Sequence, residues 1–138
     1  MNDLKRFLEA QENDFETALA EIQNGRKQSH WMWYIFPQIA GLGFSPTSKF
    51  YAIKDRDEAE SYLAHPLLGK RLVEISNALL EVEGKTASQI FGSPDDVKLK
   101  SSMTLFGALE NTNPVFQRVL DKYFNGAKDR RTLELIEV

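Results

Sequence analysis

Apolar residues recur along this chain at the spacing of helix faces. Leu4, Leu8, Gln11, Phe15, Ala18 and Ile22 follow one another at steps of three and four, so the first stretch reads as an amphipathic helix. Asn13-Asp14 offers a second cap that would split it into two. Leu68, Leu72, Ile75, Leu79 and Val82 form a similar stripe, and so do Val115, Phe116, Val119, Leu120, Tyr123 and Phe124. No segment alternates as a strand would. The punctuation is helical too. Ser45-Pro46, His65-Pro66, Ser93-Pro94 and Asn113-Pro114 place proline where a first helical turn tolerates it, behind a residue that can cap. Thr86-x-x-Gln89 matches a capping box and Asp55-x-x-Glu58 is a looser version. Gly25, Gly84 and Gly126 fall where helices should stop. The expectation is an all-α, single compact domain over residues 1–138, built of seven to eight helices, several of them short.

One segment departs from simple packing. Ser29-His30-Trp31-Met32-Trp33-Tyr34-Ile35-Phe36-Pro37-Gln38 gathers both tryptophans and one of the two histidines. Each buried aromatic ring withdraws about 150–250 Å² from water, so the segment belongs at the centre of the fold or on a pocket wall. Ser29 as a cap and Pro37 as a stop favour a short helix. Arg26 and Lys27 stand just before it. Cationic side chains beside His30 and a helix start could hold an anion, while Trp31, Trp33 or Tyr34 stacks on a base or sugar. A histidine on an aromatic segment is more commonly a hydrogen-bonded core residue. Gln11 and Gln38 are polar groups in apolar settings, either satisfied core amides or pocket lining. Ala40-Gly41-Leu42-Gly43 follows, with no preceding strand and no Lys-Ser/Thr after it, and reads as a flexible connection rather than a phosphate loop.

The stretch Pro94–Leu109 is the second unusual one. Wound as a helix, it sets Leu99, Met103, Phe106 and Leu109 on the core side, with Asp95, Lys98 and Ser102 on that side or its edge. Asp96, Lys100 and Thr104 then point away. The structural reading is an Asp95–Lys98 pair near a helix N-terminus, with Ser102 bonding back to the preceding turn. Loss of Lys98 would then strand Asp95 at a cost of about 3–5 kcal/mol. The functional reading is a polar floor beneath the aromatic segment. There Lys98 contacts an anion or acts as a base or nucleophile, and Asp95 or Asp96 orients it or shuttles protons.

Composition narrows the classes. A hydrophobic fraction of 42%, a charged fraction of 27% and a net charge of −3 describe an ordinary globular protein without a footprint for long nucleic acid. There is no cysteine, and the two histidines lack metal-ligand spacing, so neither a thiolate centre nor a metal site is expected, and no cofactor is implied. Met1–Arg6 carries no apolar signal core, and no apolar run is long enough to span a membrane. The cytoplasm is the expected compartment, and no membrane partner is expected.

Longer motifs carry a resemblance. Gly25-x-Lys27-x-Ser29 through Gln38, Tyr51-Ala52-Ile53, Tyr62 through Gly69, and Phe91 through Phe106 together resemble the signature of the bacterial family DUF1810, a domain of unknown function. The resemblance covers nearly the whole chain and implies an all-helical single domain with no established activity. Members are sometimes labelled calpastatin, a disordered protease inhibitor, which a compact aromatic-rich chain does not resemble. A fainter similarity runs through Tyr51-Ala52-Ile53-Lys54, Glu58-Ala59, His65-Pro66, Lys98–Met103 and Leu120…Gly126 to the NADAR families, helical proteins that handle ADP-ribose-type N-glycosides. Two functions follow as expectations. One is binding or hydrolysis of a small nucleotide-like or phosphorylated ligand. Lys27 and His30 sit at the phosphate, and Trp31, Trp33 and Tyr34 form the walls, with Ser29 and Gln38 among the binding residues. Asp95, Lys98 and Ser102 stand at the reacting end, with Asp96 and His30 as further catalytic candidates. The other is a protein–protein interaction module using the aromatic segment 30–36.

Overall fold

A computed structural model describes residues 3–137. They form nine helices: α1 (Lys5–Gln23), α2 (Met32–Ile35), α3 (Pro46–Tyr51), α4 (Arg56–Ala64), α5 (Leu68–Glu81), α6 (Ala87–Phe91), α7 (Asp95–Gly107), α8 (Val115–Phe124) and α9 (Arg130–Ile136). The all-α expectation holds, with more helices than the seven or eight expected. The short helix expected in the aromatic segment is α2, and the count exceeds the expectation because several helices run only one or two turns, too short to leave a periodic signal.

Not every expected cap forms: Ser29 does not cap α2, whose N-cap position is Trp31, nor Ser93 α7, whose N-cap position is Pro94, and neither helix has a side-chain cap bond. Ser45, Asp55 and Thr86 each accept a backbone N–H at a helix start, and Thr86 and Gln89 close a full capping box. His65 caps through its ring, Nδ1 accepting from the N–H groups of Leu67 (3.1 Å) and Leu68 (3.2 Å). Asn13 does not cap a second helix, because α1 runs unbroken. Gln11 and Phe15, on either side of Asn13-Asp14, are both buried on the same face, so a break there would expose core. That face also turns slightly from the expected stripe, burying Phe7 completely and Leu8 only in part.

Helices α1, α4 and α8 pack on α5, and α7 lies across α4 and α8 with α6 and α9 against it. The core between them is dominated by Phe7, Trp31, Phe36, Tyr62, Phe106 and Phe116. A burial of this kind stabilises by about 1.5–3 kcal/mol per large side chain. Among the described residues Gln11 is the one buried amide, donating from Nε2 to the Tyr34 carbonyl and the Tyr62 hydroxyl, both at 2.8 Å, and so is satisfied.

Two irregular features position the site. The loop after α2 returns beside Ile53 in a parallel bridge with Ile39, the Ala40 N–H donating to Ile53 O and the Ile53 N–H to Gln38 O. This pins residues 40–52, including α3, into a closed loop. Behind it, Glu58 accepts from Arg6 (2.9 Å) and the Lys54 N–H (2.8 Å), while Arg6 also donates to Ala52 O (2.8 Å). Among the described residues, no helix is long and apolar enough to cross a membrane.

Candidate functional site

The two unusual segments meet. A cleft of about 340 Å³ opens between the pinned loop and the first half of α7. Trp33 and Gln38 come from the aromatic segment, Val97, Lys98 and Ser101 from α7, and Asp129 from the link before α9. The loop contributes Gly41, Leu42, Gly43, Ser48, Lys49 and Tyr51. Gly41 has φ +106°, a backbone state that favours glycine. A volume of this size suits a small ligand.

Of the expected site residues, Trp33, Gln38 and Lys98 line this cleft. Trp33 is half-buried, with the Lys98 ammonium 5.3 Å from its ring centroid. Lys98 pairs with Asp95 at 3.6 Å, a loose contact that leaves the ammonium able to meet a ligand. Asp95 itself belongs to the scaffold. Its other oxygen lies 3.0 Å from Lys27 Nζ, and Lys27 also donates to the Ser29 carbonyl (2.5 Å) and sits 5.0 Å from the Trp31 ring centroid. Asp96 accepts from the Val97 N–H at 2.9 Å at the start of α7.

Ser29 and Trp31 are drawn instead to Glu21. One carboxylate accepts from the Ser29 hydroxyl (2.6 Å), the N–H groups of Gln28 (2.8 Å) and Ser29 (3.0 Å), and the Trp31 indole N–H (2.8 Å). Desolvation raises the Glu21 pKa, but these hydrogen bonds outweigh it and hold the carboxyl at about 2. Trp31 is therefore core, fastened at its polar edge. Tyr34 is buried and its hydroxyl donates to Asp14; burial, with that bond, pushes the phenol above its ordinary range. His30 is exposed and lies outside the cleft.

The far side of α7 differs from the helical-wheel reading. Thr104, expected to point away, is buried, donating to Lys100 O (2.8 Å) and accepting from the Asp129 N–H (2.9 Å), because α9 packs on that face. Ser102 does not bond back to its preceding turn; its hydroxyl is buried without a hydrogen-bond partner. The back-bonding serine is Ser101, which reaches Val97 O (3.3 Å) and Asp129 Oδ2 (3.2 Å).

Sequence reasoning missed Lys49, Ser101 and Asp129, and it treated residues 40–43 as a plain connection. Asp129 is invisible as a site residue because it reads as a helix cap, which it also is: Oδ2 accepts from the Thr132 N–H (3.0 Å) and hydroxyl. Among the described residues, no three His, Asp or Glu side chains gather as a metal would require. Of residues 30–36, Trp31, Met32, Tyr34, Ile35 and Phe36 are buried, so the segment presents no continuous apolar patch. The exposed large apolar side chains include Phe44, Phe50 and Val97, beside the cleft.

The model of a family described as "Protein of unknown function (DUF1810)" matches residues 1–136. A solved structure, the crystal structure of a conserved hypothetical protein from Mycobacterium tuberculosis, is 47% identical and superposes with a TM-score of 0.96, covering 99% of this chain and 97% of that one. Comparison with curated proteins gives no match.

Proposed function

The chain belongs to the DUF1810 family, and from the geometry of its cleft we propose that it binds a small phosphorylated or nucleotide-like ligand there, with ADP-ribose-type N-glycosides as the class to assay for hydrolysis. The observation that carries this reading is the meeting of Trp33 and Gln38 with Lys98 in one concave site. An aromatic face, an amide and a loosely paired ammonium are what a ring bearing a phosphate needs. Lys49 adds a second cation on the opposite wall, so the lining favours an anion although the whole chain is acidic. In this reading Lys98 is the anion contact and Trp33 and Tyr51 are the flat walls. Lys27, Ser29, Trp31, Tyr34 and Asp95 support them from behind.

The interaction-module alternative is not favoured by segment 30–36, whose large side chains are turned inward. The test is a thermal-shift panel of NAD, ADP-ribose, mononucleotides and sugar phosphates. A ligand at a hundred times its Kd adds about 2.7 kcal/mol, at about 3–5 °C per kcal/mol for a chain of this length. A shift that disappears in Trp33→Ala and in Lys98→Met supports the site. No shift from any compound overturns it.

A further inference from the structure

We propose that Asp129 is the specificity residue of the cleft, accepting hydrogen bonds from the hydroxyls of a sugar through its Oδ1 oxygen. This rests on the ligand reading above and extends it from an anion with a ring to a sugar phosphate whose hydroxyls are free.

The other oxygen is already filled. Oδ2 accepts from the Thr132 N–H (3.0 Å) and the Thr132 hydroxyl, and the Ser101 hydroxyl, whose one proton Val97 O also attracts, lies 3.2 Å away. A carboxylate oxygen has two lone pairs, so Oδ2 has no room for a ligand donor. The backbone is fixed as well, since the Asp129 N–H donates to Thr104 Oγ1 at 2.9 Å. A carboxylate held by one oxygen on a rigid helix start leaves Oδ1, with both lone pairs, to the cleft it lines. Ser101 follows Lys98 by three positions on α7, and such neighbours stand about 5–6 Å apart at Cβ. The Asp129 carboxylate, hydrogen-bonded to Ser101, and Lys98 thus line the same stretch of one cleft, where a single sugar phosphate can meet an acceptor and a cation. With two lysines and one aspartate in its lining, the cleft disfavours a cationic ligand and leaves the carboxylate to read neutral donors.

The experiment is calorimetric titration of the whole chain with adenosine 5′-monophosphate and its 2′,3′-dideoxy analogue. The expected result is at least tenfold tighter binding of the hydroxylated compound, because a site built around a hydroxyl rejects the analogue lacking it. Asp129→Asn keeps an oxygen for the cap, as asparagine is a good N-cap, and replaces Oδ1 with an amide donor. The discrimination between the two compounds should fall to within about twofold. Asp129→Ser, which also caps, is the second variant should the first fail to fold. Equal binding of both compounds by the natural chain overturns the role of Asp129 and leaves the ligand reading standing, as does discrimination that survives in the folded variants. No binding of either compound overturns the role of Asp129, and the ligand reading falls with it only when the thermal-shift panel is silent as well.

Discussion

Lys27, not Lys98, is the principal partner of Asp95. The Lys27 ammonium lies 3.0 Å from Oδ2 with its side chain 8% exposed, while Lys98 stands 3.6 Å from Oδ1 and is 25% exposed. The distinction reverses the expected cost of removing Lys98, since Asp95 is not stranded by its loss. Lys98→Met should lower stability by no more than about 1 kcal/mol, the worth of a partly exposed pair. Lys27→Met removes a buried pair and the donor to the Ser29 carbonyl, and should cost about 1–3 kcal/mol. Urea unfolding of the two variants orders them; a Lys98→Met chain as damaged as Lys27→Met would mean that Lys98 is scaffold.

The two tryptophans separate in the same way. Trp31→Ala empties a buried site and should cost about 3–5 kcal/mol, whereas Trp33, half-buried on the cleft wall, should cost clearly less when truncated. Ligand binding should be lost with Trp33 and not with Trp31, provided the Trp31 variant is assayed below its lowered melting temperature. Tryptophan fluorescence in Trp33→Phe and Trp31→Phe chains reads this out, with the ligand-sensitive signal vanishing only in Trp33→Phe.

Helix content was legible because capping and periodicity are local. Thr86 with Gln89 and Asp55 with the Glu58 N–H needed only residues three apart. The candidate cleft was legible as far as chemistry shows in residue type, which gave Trp33, Gln38 and Lys98 of its lining. It failed where a side chain has a distant partner. Nothing near Trp31 in sequence says that Glu21 will take its indole N–H, and nothing near Thr104 announces that α9 will cover it. Asp129 combines both difficulties, being a cap by sequence and a cleft carboxylate only by fold.

Glu21 makes the fold acid-sensitive in a defined window. Its folded pKa of about 2 lies below the ordinary 4.5, so it binds fewer protons folded than unfolded. The stability it contributes is fully present above about pH 4.5 and is lost as pH falls toward 2. Glu21→Gln should cost about 1–2 kcal/mol at neutral pH through weaker acceptance from Ser29 and Trp31. It should also flatten the stability profile across that acid window. Denaturant midpoints between pH 2 and 6 test the sign; parallel profiles for the natural and variant chains would contradict the network.

Gly69 decides how closely α4 and α5 approach. A Cβ built there would lie 2.0 Å from the Leu63 carbonyl oxygen and 2.9 Å from its carbon, both backbone atoms of α4 that cannot turn aside. Helix propensity alone favours alanine by about 1 kcal/mol. The contact works the other way, since relieving it means moving one helix off the other and loosening Leu68 and Tyr62, both buried. Overpacking of this kind typically costs about 1–3 kcal/mol, which outweighs the propensity gain. Gly69→Ala should therefore unfold at lower denaturant with an unchanged m-value, the mark of a stability change alone. A midpoint that rose instead would show that propensity governs this position and that the close approach of the two helices is absent in solution.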